Sequence, residues 1–335
     1  MISGRIGPFG QARTGQMPGS DRVQCPASHA SVAGITNRHS GDDLVTQSSQ
    51  NPLDELLRAR LRIPEGADFR LKTLRWAMQA VDAVNRTMTG QAFFALRETE
   101  QVLRELDGRT GPELVRALLA MEGGTTITAH GLGNIPAEGP VVIGATHPIG
   151  TFDFISHAGA LLDHRPDLKV VANRETERFL GSERIIAVDY DRKENVMSAR
   201  QTLDGMQNHL RQGGALLVFG AGKVPGMRNG LLVEPPWRSG ITRISAATGA
   251  PIVPASADMR NSRHYYRTRR LAGLLSGGND DFGRMVASLR YVSELLAKLG
   301  GSYDVYYGPL QQPGTPPEEL QALAEGLVPG LYRNA

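Results

Sequence analysis

The 335-residue chain is predicted to fold as an α/β protein with a largely parallel mixed sheet flanked by helices, preceded by an α-helical N-terminal section. Strand-like apolar runs alternate with helical patterns from Thr125 to Tyr307, which is typical of a parallel sheet covered on both faces. Residues 51–123 instead show only helical periodicity. Apolar residues make up 40% and charged residues 21%, the profile of an ordinary globular chain.

These patterns divide the chain into four parts. Residues 1–50 are rich in Gly, Ser, Arg and Gln and lack the apolar segment of a secretory signal, so we expect a disordered tail. Residues 51–123 are the predicted helical section, 124–312 the α/β domain, and 313–335 a C-terminal helix and tail.

The helical section begins at Pro52, and its longest predicted helix covers 66–89. One stripe of that helix carries Leu71, Leu74, Met78, Val81 and Met88 near the helical period, with basic residues mostly off the stripe. The pattern fits a helix that packs on the core, and it also fits a helix that lies on a membrane surface. Further helices are expected at 93–106 and 112–121.

The α/β domain is predicted from short β-branched runs separated by helical segments. The expected strands are 125–131, 141–145, 168–172, 185–188, 215–219, 252–255 and 303–307. The expected helices that follow are 195–212, 240–248, 283–299 and 316–327.

Charge and cysteine content narrow the partners and the compartment. The net charge of +3 and pI of about 9.1 fit an anionic partner, such as a phosphate-bearing ligand, acidic lipid or nucleic acid. Cys25 is the single cysteine, which favours a reducing, cytoplasmic setting. The sequence contains no run of about 18 apolar residues, so no membrane-spanning helix is predicted. The histidines lack metal-ligand spacing, so no metal site is expected.

The stretch from Val141 to Asp153 carries the strongest chemical signal. Its apolar run ends at His147, Pro148 and Gly150 then favour a tight turn, and Asp153 falls near the start of a helix. A histidine oriented by a carboxylate is suited to take a proton from a hydroxyl or amine. No Ser–Gly elbow flanks the histidine to supply a nucleophile. This favours direct group transfer to the acceptor over a covalent enzyme intermediate. His157, one helical turn later, is the second choice of partner for the aspartate.

This segment resembles the first motif of the phospholipid and glycerol acyltransferases, a histidine and an aspartate separated by four residues. Here five residues intervene, and the HPxGxxD form is similar to the haemolysin-like and lyso-ornithine-lipid branches; the resemblance covers roughly 125–265. It implies an enzyme of phospholipid biosynthesis that moves an acyl group from acyl-coenzyme A or acyl carrier protein to the hydroxyl or amine of a lysolipid-type acceptor. His147 would be the general base and Asp153 its orienting partner.

The resemblance further implies a protein without a resident cofactor, peripheral on the inner face of the membrane. Backbone N–H groups of the His147–Gly150 turn, or a basic residue, would stabilise the oxyanion. The second motif spans 172–178 and 185–193. In it Arg192 would contact the acceptor phosphate or the acyl donor, and Arg174 is a further candidate for that role. A solvated charge cluster is an equal interpretation of both arginines.

The third motif spans 216–226 and departs from the family pattern. Phe219 and Gly222 fit, but Gly220 replaces a proline and Ala221 a glutamate common in glycerol-phosphate enzymes, which casts doubt on that acceptor. Gly220 and Gly222 would let backbone N–H groups approach an anion, with Lys223 as its counter-charge. The fourth motif spans 250–262, and its Pro254 would line the acyl or donor channel or serve the fold alone.

Two other functions stay open. The glycines from Gly220 to Gly226 resemble a dinucleotide fingerprint and permit a nucleotide-cofactor oxidoreductase, although Pro225 and the lack of a long following helix count against it. A non-catalytic lipid- or acyl-binding protein is the other alternative. The basic, aromatic run 260–270 fits nucleic acid, a phosphate-rich ligand or a bilayer, and no nucleic-acid motif accompanies it.

Overall fold

The computed structural model describes residues 51–61, 63–173, 177, 181–188 and 196–333. The predicted tail 1–50 and Cys25 lie outside these residues. Four helices form the front section: α1 Pro52–Leu61, α2 Asp68–Thr89, α3 Leu96–Glu105 and α4 Gly111–Ala120. The buried carboxylate of Asp82 on α2 accepts hydrogen bonds from the backbone N–H groups of Phe94 and Leu96, so it fixes the start of α3.

A seven-stranded sheet organises the rest of the chain, in the order β1-β9-β8-β2-β5-β3-β4. The run from β8 to β4 is parallel, while β8 and β9 pair antiparallel and β9 is parallel to β1. Its strands are β1 Thr126–His130, β2 Val141–Ala145, β3 Lys169–Asn173, β4 Ile185–Val188, β5 Ala215–Phe219, β8 Ile252–Ala257 and β9 Ser302–Tyr307. This arrangement confirms the predicted fold class.

Helices cover both faces of the sheet, as the continuous burial of its central strands requires. The helices are α5 Thr151–Leu161, α6 Val196–Arg211, α7 Gly240–Thr248, α8 Arg263–Leu275, α9 Asp280–Ser288, α10 Tyr291–Leu296 and α11 Pro317–Gly326. Along β2, Val141, Ile143 and Ala145 pack with α4 and α5, whereas Val142 packs with α6, α7 and α11 on the other face. Among the described residues, no helix combines the length and apolarity needed to cross a bilayer.

Three parts of the structure differ from the sequence prediction. The hairpin of β6 Gly226–Arg228 and β7 Leu231–Val233 was not expected; its turn is Asn229-Gly230, both at positive φ (53° and 81°), a common two-residue hairpin turn. Helix α8 forms over most of the basic, aromatic run 260–270, where the sequence pattern does not predict a helix. The single helix expected at 283–299 is two, interrupted at Leu289–Arg290.

The apolar stripe along α2 is buried only in part. Leu71 and Met78 are buried, but Val81 is 45% and Met88 is 79% exposed. Packing on the core therefore accounts for the first half of the stripe only.

Candidate active site

His147 follows β2, which lies inside the sheet between β5 and β8. The carboxyl ends of these parallel strands meet at one edge, the usual place for ligands in an open α/β sheet. The side chain of His147 is 19% exposed, so it is accessible at this edge.

His147 and Asp153 lie together, as the sequence predicts. His147 Nδ1 is 2.9 Å from Asp153 Oδ2, and the aspartate side chain is fully buried. The angles of this contact fall outside hydrogen-bond geometry. Asp153 is the third residue of α5, not its N-cap, which is Gly150.

The aspartate also shapes the turn that carries the histidine. Asp153 Oδ2 accepts hydrogen bonds from the backbone N–H groups of Ile149 (2.9 Å) and Gly150 (2.8 Å). These two N–H groups are therefore engaged, and the expectation that they would bind an oxyanion is not supported in this conformation. Gly150 has φ of 110°, and a Cβ there would lie 3.1 Å from the Tyr291 ring, so the turn requires glycine.

Two rings lie beside the pair. Phe219, at the end of β5, stacks on His147 with centroids 4.3 Å apart. His157 is fully buried, with Nδ1 3.1 Å from the hydroxyl of Tyr307. Burial lowers the pKa of His157 to about 4, opposed by Asp153 and reinforced by His147. His157 is therefore neutral near pH 7.

The third-motif glycines serve the fold. Gly220 N–H donates to Ala145 O and Gly222 N–H to Phe219 O, so neither is open to an anion in this conformation. A Cβ at Gly220 would overlap the indole of Trp237, which explains the glycine. Ala221 is buried in the same apolar cluster as Trp237, where a glutamate carboxylate would be removed from water.

The other predicted site residues are dispersed. Lys223 Nζ lies 3.7 Å from Asp281 on α9, and Pro254 is buried within β8 opposite Gly144. Arg174 and Arg192 lie outside the described residues, so their predicted roles stay predictions. After Gly222 the chain enters the β6–β7 hairpin rather than a helix. The helix N-terminus that a dinucleotide fingerprint supplies is therefore missing at this loop.

Glu234, which the sequence analysis missed, lies near the histidine. Its side chain is buried, and no donor among the described residues reaches its carboxyl oxygens with full hydrogen-bond geometry. Burial raises its pKa well above the usual value, reinforced by Glu325 and Asp153 and opposed by the backbone N–H of His147 and the indole of Trp237. Burial thus favours the protonated form of Glu234, which lies beside the backbone of His147. An acid within the apolar run Leu231–Trp237 was the available signal.

A buried polar network, also missed, supports the turn from the other side. Asn261 Nδ2 donates to the carbonyls of Pro148 (3.3 Å) and Ile149 (3.1 Å). The next residue, Ser262, donates through its N–H (2.7 Å) and hydroxyl (2.6 Å) to the Glu294 carboxylate.

The network continues into the front section. Glu294 pairs with Arg290 at 3.4 Å, and each side chain is 1% exposed. Arg290 Nη1 donates to the carbonyls of Ala92 (3.4 Å) and Phe93 (3.2 Å). Hydrogen bonds thus connect the segment after α2 to the turn that carries His147.

Within the described ranges, no group of three or more His, Cys, Asp or Glu residues is placed to hold an ion. The usable chemistry is a histidine, a buried carboxylate and a turn fixed from two sides.

A family comparison gives the class of this site. Residues 126–258 match the protein-family model described as Acyltransferase. The matched segment runs from β1 to just past β8 and contains His147, Asp153, Phe219 and Pro254. This match identifies the protein as an enzyme that transfers acyl groups.

Comparison with individual proteins adds a distant structural likeness. No curated protein matches the chain. Solved structures that are similar to it include the 1-acyl-sn-glycerophosphate (LPA) acyltransferase PlsC from Thermotoga maritima. The two share 18% identity with a TM-score of 0.39, over 69% of this chain and 81% of that one.

Proposed function

We propose that this protein transfers a fatty acyl group from an acyl-coenzyme A or acyl-carrier-protein thioester to the hydroxyl or amine of a lysolipid-type acceptor. The observation that carries the proposal is the contact of His147 Nδ1 with the buried Asp153 carboxylate, 2.9 Å away, at the carboxyl edge of the sheet. The family match over the same segment supports it.

The chemistry assigns each nitrogen of His147 one task. Nδ1 faces Asp153, which leaves Nε2 to take the proton from the acceptor. The acceptor oxygen or nitrogen then attacks the thioester carbonyl, the new bond forms, and the carbon–sulfur bond breaks. The imidazolium returns its proton to the departing thiolate. The Asp153 carboxylate stabilises the imidazolium in between.

An acyl acceptor of this class resides in a bilayer, so the protein is expected at a membrane surface on the cytoplasmic side. Helix α2 supports this part of the proposal, because Phe69 (85%), Trp76 (71%), Val84 (58%) and Met88 (79%) are exposed on it. Deletion of 51–90 should reduce sedimentation with liposomes, and unchanged sedimentation would contradict this use of α2.

The test of the proposal is thiol release from a panel of acyl-coenzyme A and acyl-carrier-protein thioesters, with and without lysolipid or amino-acid-lipid acceptors. Acceptor-dependent release by the wild type, lost in a folded His147→Ala variant, is the expected result. Release that His147→Ala leaves intact would contradict the mechanism.

Absence of release with every donor and acceptor would favour a non-catalytic acyl-binding protein. The replacement of the family glutamate by Ala221 is the observation behind that second candidate. It predicts that His147→Ala binds acyl ligands as tightly as the wild type does.

A further inference from the structure

Exposed apolar side chains concentrate on two helical elements of the protein. Of thirteen large apolar side chains that are exposed among the described residues, five lie on α2 and five on the hairpin of α8 and α9, residues 263–288. The hairpin side chains are Leu271 (59%), Leu274 (65%), Leu275 (80%), Phe282 (41%) and Met285 (57%). Such a concentration of large exposed apolar side chains on one element indicates an interaction surface.

The apolar side chains of the 263–288 hairpin cluster towards its tip. Leu274 and Leu275 end α8, Gly277 and Gly278 form the connection, and Phe282 lies in the first turn of α9. The tip thus presents large apolar side chains on both sides of a short, glycine-containing turn.

Arginines occupy the same side of α8, nearer its start. Arg263, Arg267 and Arg270 are exposed, and with Leu271 and Leu274 they follow the i, i+4, i+7, i+8, i+11 spacing of one helix face. None of the three arginines forms an ion pair with any residue that the structure describes. Arg267 precedes Leu275 by about 12 Å along the axis, at ~1.5 Å per residue.

The acidic residues of the hairpin are balanced by neighbouring cations. Asp280 pairs with Arg269 (2.7 Å) and with Arg284 (3.5 Å), and Asp281 pairs with Arg284 and lies 3.7 Å from Lys223. The exposed face of α8 therefore keeps its positive charge.

The hairpin is attached to the active-site loop. Arg269, buried on the inner face of α8, donates to the carbonyls of Val224 (3.2 Å) and Pro225 (2.7 Å) in the loop after β5. At the start of α8, His264 lies edge-on to Phe93, with centroids 5.9 Å apart, just beyond the end of α2. The hairpin thus adjoins both the loop beside His147 and the front section.

We propose that the 263–288 hairpin is a second membrane-docking element, in which the Leu274–Phe282 tip enters an anionic bilayer and Arg263, Arg267 and Arg270 bind lipid phosphates. The bilayer is the occupant because the apolar tip and the arginines follow each other along one face. An interfacial helix places its groups in this order at the boundary of acyl chains and headgroups. The inference rests on the proposed function, since a lipid acceptor brings the enzyme to that surface.

The test is co-sedimentation of the full chain with vesicles of phosphatidylcholine alone and of phosphatidylcholine mixed with phosphatidylglycerol. Arg263→Gln/Arg267→Gln/Arg270→Gln should weaken binding to the anionic vesicles about a hundredfold, since each arginine contributes a factor of about five. Leu274→Ser/Leu275→Ser should weaken binding to both vesicle types. Thermal unfolding checks that each variant is folded.

Matched controls lie elsewhere on the surface. Arg200→Gln/Arg211→Gln/Arg243→Gln removes the same charge from exposed arginines of α6 and α7, and Leu310→Ser removes an exposed leucine. The proposal expects both controls to bind as the wild type does. Equal loss in the control triple variant would show that net charge alone acts, and would overturn it.

Other occupants give different results. Wild-type vesicle binding by the hairpin variants overturns the proposal. So does loss of oligonucleotide binding with vesicle binding kept, or a wild-type dimer that Leu274→Ser/Leu275→Ser turns into a monomer.

Turnover of a lysolipid below its micelle concentration separates this proposal from the proposed function. The hairpin variants should retain thiol release there while losing vesicle binding. Vesicle binding that depends on the hairpin in a wild type without any thiol release would support docking and contradict acyl transfer.

Discussion

The turn that carries His147 and the helices that carry the exposed apolar residues are built in opposite ways. In the turn, the Asp153 carboxylate accepts two backbone hydrogen bonds, and Asn261 holds two carbonyls. On α2, Trp76 and Met88 are more than two-thirds exposed. Reaction chemistry requires fixed positions, whereas contact with a fluid surface requires apolar area without a fixed partner.

The Arg290–Glu294 pair joins the two regions. It connects the carbonyls of Ala92 and Phe93 to Ser262, which follows the Asn261 that holds the turn. A buried charge pair is costly unless its remaining hydrogen-bonding groups are satisfied, and Arg290 Nε has no partner among the described residues. Removing one partner of the Arg290–Glu294 pair should therefore affect both the turn that carries His147 and the front section.

The largest effect is expected from Asp153→Asn, which changes the turn that carries His147 and leaves the exposed helices unchanged. A neutral amide cannot stabilise the imidazolium, so kcat/KM should fall roughly 10³-fold, about 4 kcal/mol of barrier. Steady-state thiol release measures the loss, and vesicle sedimentation should not change. A variant with near wild-type kcat/KM would separate Asp153 from the reaction.

Arg290→Met tests the connection. It leaves Glu294 buried without its counter-charge, and the free energy of unfolding in urea should fall by about 3 to 4 kcal/mol. Because the pair links the segment after α2 to the turn that carries His147, we expect vesicles to stimulate thiol release by the wild type, and Arg290→Met should abolish that stimulation.

Arg165→Met is the matched control for Arg290→Met. Arg165 is equally buried, but it donates to the carbonyls of Pro136, Gly139 and Gly213 at the amino edge of the sheet. It should lose stability and keep the stimulation. Identical behaviour of the two variants would remove the special role of Arg290.

The pH dependence of stability tests the burial of the site. The pKa of His157 is lowered to about 4 from 6.5, so between those values the unfolded chain binds more protons than the native one. The free energy of unfolding should therefore drop as pH falls through this window, by up to about 3 kcal/mol. His157→Gln should remove that slope. The same slope in both proteins would mean that another group titrates.

Gly220→Ala should have the smallest effect. A methyl group there meets the indole of Trp237, which overpacks the core and costs about 1 to 3 kcal/mol of unfolding free energy. Gly240→Ala on α7, where a Cβ meets nothing within 4 Å, is the control and should be neutral or stabilising. Equal stability of the two variants would contradict the packing explanation for Gly220.

What the sequence predicted was local. Strand β2 and its following turn depend on consecutive apolar residues, on Pro148 and on Gly150, so their place could be read directly. The same holds for Asp153, whose carboxylate reaches back only to the N–H groups of Ile149 and Gly150.

What the sequence left out depends on distant segments. Glu234 reaches the histidine because the Asn229-Gly230 turn folds the chain back, and that turn was not recognised. Arg290 and Glu294, spaced i and i+4, look like an exposed helix pair, and only tertiary packing buries them. The α2 stripe allows two interpretations from sequence, core packing and a membrane surface, because periodicity does not say what covers a helix face.

His147, not the neighbouring His157, is the proposed base for acyl transfer. Acceptor-dependent thiol release by His147→Gln and His157→Gln, measured side by side on folded protein, tests it most directly. We expect release to be lost in His147→Gln and kept within about tenfold in His157→Gln, whose buried imidazole is already neutral. Release that survives in His147→Gln and is lost in His157→Gln would contradict it.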